Sequence, residues 1–263
     1  MVSKNLIYIV AVDSDKSQFN HSEYGKYSID SWQRYCNKHN ITLMVNREHD
    51  TRFTFPIWNK ELIYEIGKGY DKIGIVDLDT IVNPDAPNIF NLFTEDEFCG
   101  VGDLCDLNWL LSSINDRQHF FPSTSLDIFQ YFNAGILFFG NKHLNLFEKL
   151  LKLYLDNQSE IDSIKGGGKE QTLLNFIVQE NGVKVRLLDP SWNLLSIHRK
   201  NMFKHNWQLY PNVQGIDPND KNTWPHFLKY GYIYHFTGFP IEDRTNLMKI
   251  TSNILNQTNN GIR

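Results

Sequence analysis

Residues 69–93 read GYDKIGIVDLDTIVNPDAPNIFNLF. Within them, residues 72–76 (KIGIV) form a short apolar run rich in β-branched side chains, the pattern of a strand buried on both faces. Two carboxylates follow at once, Asp77 and Asp79. In extended chain, residues i and i+2 point to the same side, so the pair can converge on one cation. Mg²⁺ and Mn²⁺ sites take oxygen ligands, commonly one or two carboxylates with substrate phosphates completing the shell. A strand-end Asp-Leu-Asp therefore suits a metal–diphosphate complex, and its apolar setting would make unpaired charge costly. A solvated turn is the plain alternative for any single pair of this kind.

Upstream, residues 6–12 (LIYIVAV) read as a continuous buried strand that runs into Asp13. Ser22 can cap a helix to about Lys38, with Tyr24, Tyr27, Trp32 and Tyr35 near helical spacing. Residues 41–45 (ITLMV) predict a second strand, and Pro56 suits the first turn of a helix over 57–66 that stops at Gly67-Lys68-Gly69. This β-α-β-α-β alternation predicts a parallel, doubly wound arrangement, in which ligands bind beyond the carboxyl ends of the strands. Asp13 and Asp77 both fall at such ends. Downstream, 98–102, 131–139, 183–188 and 232–236 read as strands, and 143–155 and 170–180 as amphipathic helices. The stretch 201–226, rich in Asn, Pro and Trp, reads as an irregular region that can contribute to an acceptor site. Gly166-Gly167-Gly168 reads as a flexible joint; it lacks the GxxxxGK[ST] spacing of a phosphate loop.

Composition excludes several classes of function. With 41% hydrophobic and 21% charged residues over 263 positions the chain suits a globular domain, not a disordered one. A net charge of −4 without basic runs gives no electrostatic grip on nucleic acid, so no nucleic-acid partner is expected. No run approaches the roughly 20 apolar residues of a membrane span. Six Trp and twelve Tyr fit either a bulky core or rings that pack on sugar faces. Cys36, Cys99 and Cys105 lack metal or redox spacing and read as reduced thiols or small buried hydrophobes. The N-terminus lacks a signal-peptide layout, so a cytoplasmic location is expected.

Two enzyme classes place DxD at a strand end. Haloacid-dehalogenase-type phosphatases also need a distant acidic pair. Asp103 and Asp106 lie too close to Asp77 for the usual intervening elements, and Ile81 stands where Thr or Val is expected. The other class covers far more of the chain. Trp58-Asn59-Lys60 through residues 69–93 resembles the core of GT-A-fold glycosyltransferases, most closely the glycogenin-like family 8 type. Residues 131–139 (YFNAGILFF), Glu170-Gln171 with Asn175, residues 188–193 (LDPSWN) and His235-Phe236-Thr237-Gly238 resemble further motifs of that family, in its order, over roughly residues 7–239.

The resemblance implies an α/β fold of GT-A type: a single domain over 1–263 with a mixed, mainly parallel sheet flanked by helices. Residues 1–105 would form the nucleotide-binding half and 106–263 the donor-sugar and acceptor half. It implies a metal-dependent hexosyltransferase acting on a nucleotide-diphosphate sugar, a UDP-sugar first, with a hydroxyl acceptor on a glycan, protein or lipid head group, and retention of configuration. Asp77, Asp79 and His235 would hold Mn²⁺ or Mg²⁺, although His235 alone reads as a half-buried strand histidine. Ala11, Val12 and Asp13 would contact the nucleoside, and Lys60 the donor phosphates unless it is a helix-surface lysine. Leu78 and Gly238 would also line the donor site. Asn133, Ala134 and Gly135 would lie against the donor sugar, where small residues let backbone approach closely. Glu170 and Gln171 would flank the reacting carbon. Were the enzyme inverting, Glu170, Asp103 and Asp189 would be the candidate bases. Glu170 stands where the family has Asp, and Ile241 where it has the lysine that holds the leaving diphosphate; Arg244 is a nearby substitute. A catalytically silent nucleotide-sugar-binding relative is the alternative within the same fold.

Overall fold

A computed structural model describes residues 4–13, 22–104, 106–195 and 226–257. Residues 201–225 of the stretch expected to be irregular, Cys105 and the expected side-chain cap at Ser22 lie outside the described parts.

Strand β1 (Asn5–Val10) pairs in parallel with β2 (Thr42–Asn46) on one side and β3 (Lys72–Val76) on the other, and α1 (Ser22–His39) makes the first crossover. Side chains along β1 alternate between two cores: Ile7 and Ile9 face one layer, Leu6 and Tyr8 the other. That alternation is why the run is apolar throughout. The long strand β6 (Phe132–Gly140), with every residue buried, runs antiparallel to β3 and to β5 (Phe98–Gly102). With β7 (Val185–Leu187) parallel to β5, the sheet order is β2-β1-β3-β6-β5-β7. The central sheet is thus mixed and mostly parallel.

One core layer is closed by α1 and the C-terminal α8 (Ile241–Gln257), with Trp32, Tyr35, Leu247 and Met248 against Val76 and Phe138. The other is closed by α4 (Leu144–Asp156) and α6 (Lys169–Glu180), with Phe147, Leu150, Leu173 and Phe176 against Ile73, Leu137 and Phe139; the short α5 (Gln158–Ser163) and α7 (His226–Tyr230) precede α6 and α8 in the chain. The helix expected over 57–66 is instead a 3₁₀ turn, Pro56–Leu62, followed by the single-turn α2 (Ile63–Ile66). Asn59 explains the tighter winding: its Nδ2 donates to Pro56 O at 2.7 Å, taking an acceptor that an α-helix would use. Helix α3 (Leu107–Asn115), capped by Asp106 Oδ1 on Trp109 N–H, was not evident from periodicity.

A second, three-stranded sheet joins β4 (Thr80–Val82), β9 (Ile233–His235) and β8 (Leu194–Leu195) in the order β4-β9-β8. Its register sets Thr80 opposite His235, and Phe236 N donates to Asp79 O at 2.8 Å. Two chain segments about 155 residues apart are thereby locked side by side. Among the described residues no helix is long and apolar enough to cross a membrane.

Candidate active site

Asp77 to Asp79 do not continue strand β3, as the alternation argument expected; they form a turn between β3 and β4. Thr80 Oγ1 donates to Asp77 O at 2.6 Å and itself accepts from Trp32 Nε1 at 2.9 Å, which fixes that turn. Asp77 N donates to Gly135 O at 2.7 Å, extending the β3–β6 ladder beneath it. The two carboxylates converge through the turn and its cross-strand partners, not through strand alternation.

Asp77, Asp79 and His235 each present one ligand atom, and the three atoms lie within 4.8 Å of one another. His235 Nε2 is 3.1 Å from Asp79 Oδ1 and 3.8 Å from Asp77 Oδ2. Two carboxylates with one imidazole make a donor set suited to Mn²⁺, and with fewer protein ligands to Mg²⁺. Gly135 gives independent support for the fit. A Cβ built there would lie 2.5 Å from His235 Cε1 and 2.6 Å from Asp77 Oδ2, so the close approach of these groups requires a glycine.

Asp77 and Asp79 stand at the wall of a cavity of ≈540 Å³, lined also by Tyr24, Lys60, Leu78, Gly238 and Arg244. Lys60 Nζ lies 2.5 Å from Asp77 Oδ1 and 3.3 Å from Glu170 Oε1, tying the turn to the first turn of α6. Burial would depress the lysine's pKa, but the two carboxylates outweigh it and raise the pKa, so Lys60 stays charged. Asp77 is pushed up, chiefly by burial, against the pull of Lys60. Asp79 goes the other way: burial is outweighed by His235 and by Arg244, whose Nη1 is 3.4 Å from Asp79 Oδ2. Arg244 also donates to Tyr24 Oη at 3.1 Å.

The other expected residues are distributed as follows. From the first strand the cavity wall takes Val10, just before Ala11, Val12 and Asp13; Val12 is buried and Asp13 exposed. Gly238 sits on the wall with φ +77°, a backbone conformation that favours glycine. Asn133 and Ala134 are buried behind it. Gln171 Oε1 accepts from Asn133 Nδ2 at 3.1 Å and from Ala134 N at 3.0 Å, while its Nε2 donates to Asp103 Oδ2 at 3.1 Å and Tyr131 Oη at 3.2 Å. Glu170 is nearly buried beside Lys60. Asp189 accepts from Ser191 N and from Tyr230 Oη, each at 2.9 Å, and caps a 3₁₀ turn, Pro190–Trp192. Tyr24 escaped the reading of the sequence because a helix tyrosine at core spacing carries no signal of its own.

Solved structures now place this architecture. No protein-family model matches the chain, and no curated protein matches it by sequence. In three dimensions it is similar to a glycosyltransferase involved in the glycosylation of the major capsid of PBCV-1, with 11% identity over 94% of this chain and 99% of that one, at a TM-score of 0.58. It is also similar to the galactosyltransferase LgtC, solved with donor and acceptor sugar analogs: 13% identity, 96% and 95% coverage, TM-score 0.53. A third similar structure, the WbbM bifunctional glycosyltransferase, has 17% identity and a TM-score of 0.54; the match covers 98% of this chain and 52% of that one. The fold is GT-A. At these identities the likeness establishes the fold, and the chemistry must be argued from the site itself. Within the GT-A fold, the acidic turn after β3 lines the cavity beyond the carboxyl end of β3, and the buried histidine of β9 lies 3.1 Å from Asp79.

Proposed function

We propose that the chain is a metal-dependent glycosyltransferase that moves a sugar from a nucleoside-diphosphate donor, a UDP-sugar, to a hydroxyl acceptor with retention of configuration. One observation carries the reading: Asp77 and Asp79, at the wall of a cavity large enough for part of a nucleotide sugar, converge with the buried His235. A divalent cation bound there, Mn²⁺ or Mg²⁺, supplies charge neutralisation to the departing diphosphate.

The chain's own groups then have separable tasks. Asp77 and Asp79 hold the cation, and His235 completes the protein share of its shell. Lys60 and Arg244, which neutralise these carboxylates in the structure described, bring positive charge to the same wall where diphosphate oxygens would lie. Ala11, Val12 and Asp13 are assigned to the nucleoside, Asn133, Ala134 and Gly135 to the donor sugar. Glu170 and Gln171, at the start of α6, are assigned to the face of the reacting carbon, where the Glu170 carboxylate favours positive charge on the ring and Gln171 holds Asn133 and Ala134 in place. The phosphatase alternative draws no support, because the Asp103 carboxylate is bonded by Asn133 Nδ2 and Gln171 Nε2. Cys36 and Cys99, buried and free, accord with a reducing compartment such as the cytoplasm.

The test is release of UDP from UDP-sugars, with Mn²⁺ and with EDTA. Asp79→Asn is expected to lower kcat by ~10²–10³. A variant as active as wild type and equally dependent on Mn²⁺ would remove the turn from the mechanism.

A further inference from the structure

We propose that Asn193 is a positioning residue that holds the His235 imidazole with a hydrogen on Nδ1, so that Nε2 is the atom turned to Asp77 and Asp79 and the one that would give its lone pair to a cation bound there. The inference rests on the metal-site reading above and assigns a task to a residue outside the ligand set.

The argument is one of hydrogen-bond direction. A backbone N–H can only donate, so it fixes which end of a side-chain amide faces it. Gly135 N donates to Asn133 Oδ1 at 2.9 Å, and Ala134 N donates to Gln171 Oε1 at 3.0 Å. Both amides are thereby oriented: Asn133 Nδ2 must donate, and it does so to Asp103 Oδ2 and Gln171 Oε1, each at 3.1 Å. Asn193 meets Asn133 Oδ1 at 3.0 Å, where only its Nδ2 can serve as partner. Its Oδ1 is then the end presented to His235 Nδ1, at 2.9 Å. An amide oxygen accepts and never donates, so Nδ1 carries the hydrogen. Nε2, the nitrogen 3.1 Å from Asp79 Oδ1, is left as the ligand atom.

The inner members of this chain are shielded: Asn193 is 0% exposed, His235 1% and Asn133 8%. Water therefore does not compete for these bonds. The 3₁₀ turn Pro190–Trp192 delivers Asn193 to this point, with Asn193 N donating to Pro190 O at 3.0 Å. The ends of the chain of bonds are Asp103, which accepts from two amides, and the two carboxylates at the cavity. The orientation of His235 is set from β6 and α6, not from its own strand.

Two substitutions separate the acceptor role from mere packing. Asn193→Leu removes the acceptor while keeping the number and branching of the side-chain heavy atoms; Asn193→Asp keeps an oxygen on Nδ1 but cannot donate to Asn133. Mn²⁺ affinity is measured by electron paramagnetic resonance of free Mn²⁺. The ligating nitrogen is read from ¹¹³Cd–¹⁵N coupling in ¹⁵N-histidine protein loaded with ¹¹³Cd²⁺ alone. Expected for wild type is coupling to His235 Nε2 with the hydrogen on Nδ1. Asn193→Leu is expected to weaken Mn²⁺ binding ~10–100-fold and lose that coupling, while Asn193→Asp stays within about threefold of wild type with the coupling intact. Unfolding in EDTA reports folding of each variant, and if Asn193→Leu does not fold, Asn193→Asp decides alone. Loss of affinity or coupling in a folded Asn193→Asp would overturn the proposal, as would wild-type affinity and coupling in Asn193→Leu. Failure of the wild-type chain to bind either cation would instead overturn the metal-site reading, a distinguishable result.

Discussion

Gly135 has no side chain because the space is already taken. Its missing Cβ would lie inside contact distance of both His235 and Asp77, the two groups that must approach one another. Gly135→Ala is therefore expected to destabilise the fold by about 1–3 kcal/mol through overpacking and to abolish Mn²⁺ binding. A direct Mn²⁺ titration of the folded variant checks this; wild-type affinity would contradict it. At this scale much of the cluster was legible in the sequence. Asp77 and Asp79 stand two apart after a buried strand; His235 is reached only through the resemblance, since alone it reads as a half-buried strand histidine. Arg244 was legible only as a nearby cation, because its place depends on how α8 packs against α1. Asn193 could be read as a motif position but not as the residue facing His235, since its partners lie on β6 and β9.

At the scale of elements, Asn175 staples α6 to the central sheet beside the bonds that Gln171 makes to β6. Asn175 Oδ1 accepts from Phe132 N and its Nδ2 donates to Phe132 O, both at 3.0 Å, with a further bond to Gln171 O at 2.9 Å. Asn175→Ala removes these partners inside the core, and a cost of about 1–3 kcal/mol for each group left unsatisfied is expected. Urea unfolding measures it; a change below about 0.5 kcal/mol would mean the staple is dispensable. The helix start is also braced from α3. Gly168 adopts φ +72°, and a Cβ there would meet Trp109 at 2.9 Å and Ser113 Oγ at 3.1 Å, so this end of the glycine run is tightly packed, whereas a Cβ on Gly166 would meet open space. Buried strands and the amphipathic α4 and α6 were legible because burial on one or two faces imposes a period. In the small sheet, β9 lies within 232–236, read as a strand, while β4 and β8 are three and two residues long, too short to carry a period of their own. The 3₁₀ turn at Pro56 was obscured because an i+3 pattern fits a helix nearly as well.

Across the whole molecule, function has been built on buried charge, and Glu61 shows the strain. It is 1% exposed, and its Oε2 makes no hydrogen bond. Burial, reinforced by the neighbouring Glu170, holds its carboxyl well above the ordinary glutamate range, against the pull of Lys60. The folded state therefore binds this proton more tightly than the unfolded chain, whose pKa is about 4.3. The sign follows: the stability this proton supports is fully present below the unfolded value and is lost as pH rises towards the folded one. Glu61→Gln, which mimics the protonated form, should match wild type near pH 4 and be the more stable at pH 8. A gain of about 1 kcal/mol would appear as ~2–4 °C in Tm. Equal melting temperatures across that range would show that the carboxylate is satisfied when charged.

The central claim is that Asp77, Asp79 and His235 hold a divalent cation against a nucleoside diphosphate. Calorimetric titration of UDP into the chain, with Mn²⁺ and then with EDTA, tests it most directly. The account predicts affinity at least about tenfold tighter with the cation, and loss of that difference in Asp79→Asn. Equal affinity in Mn²⁺ and in EDTA would contradict it.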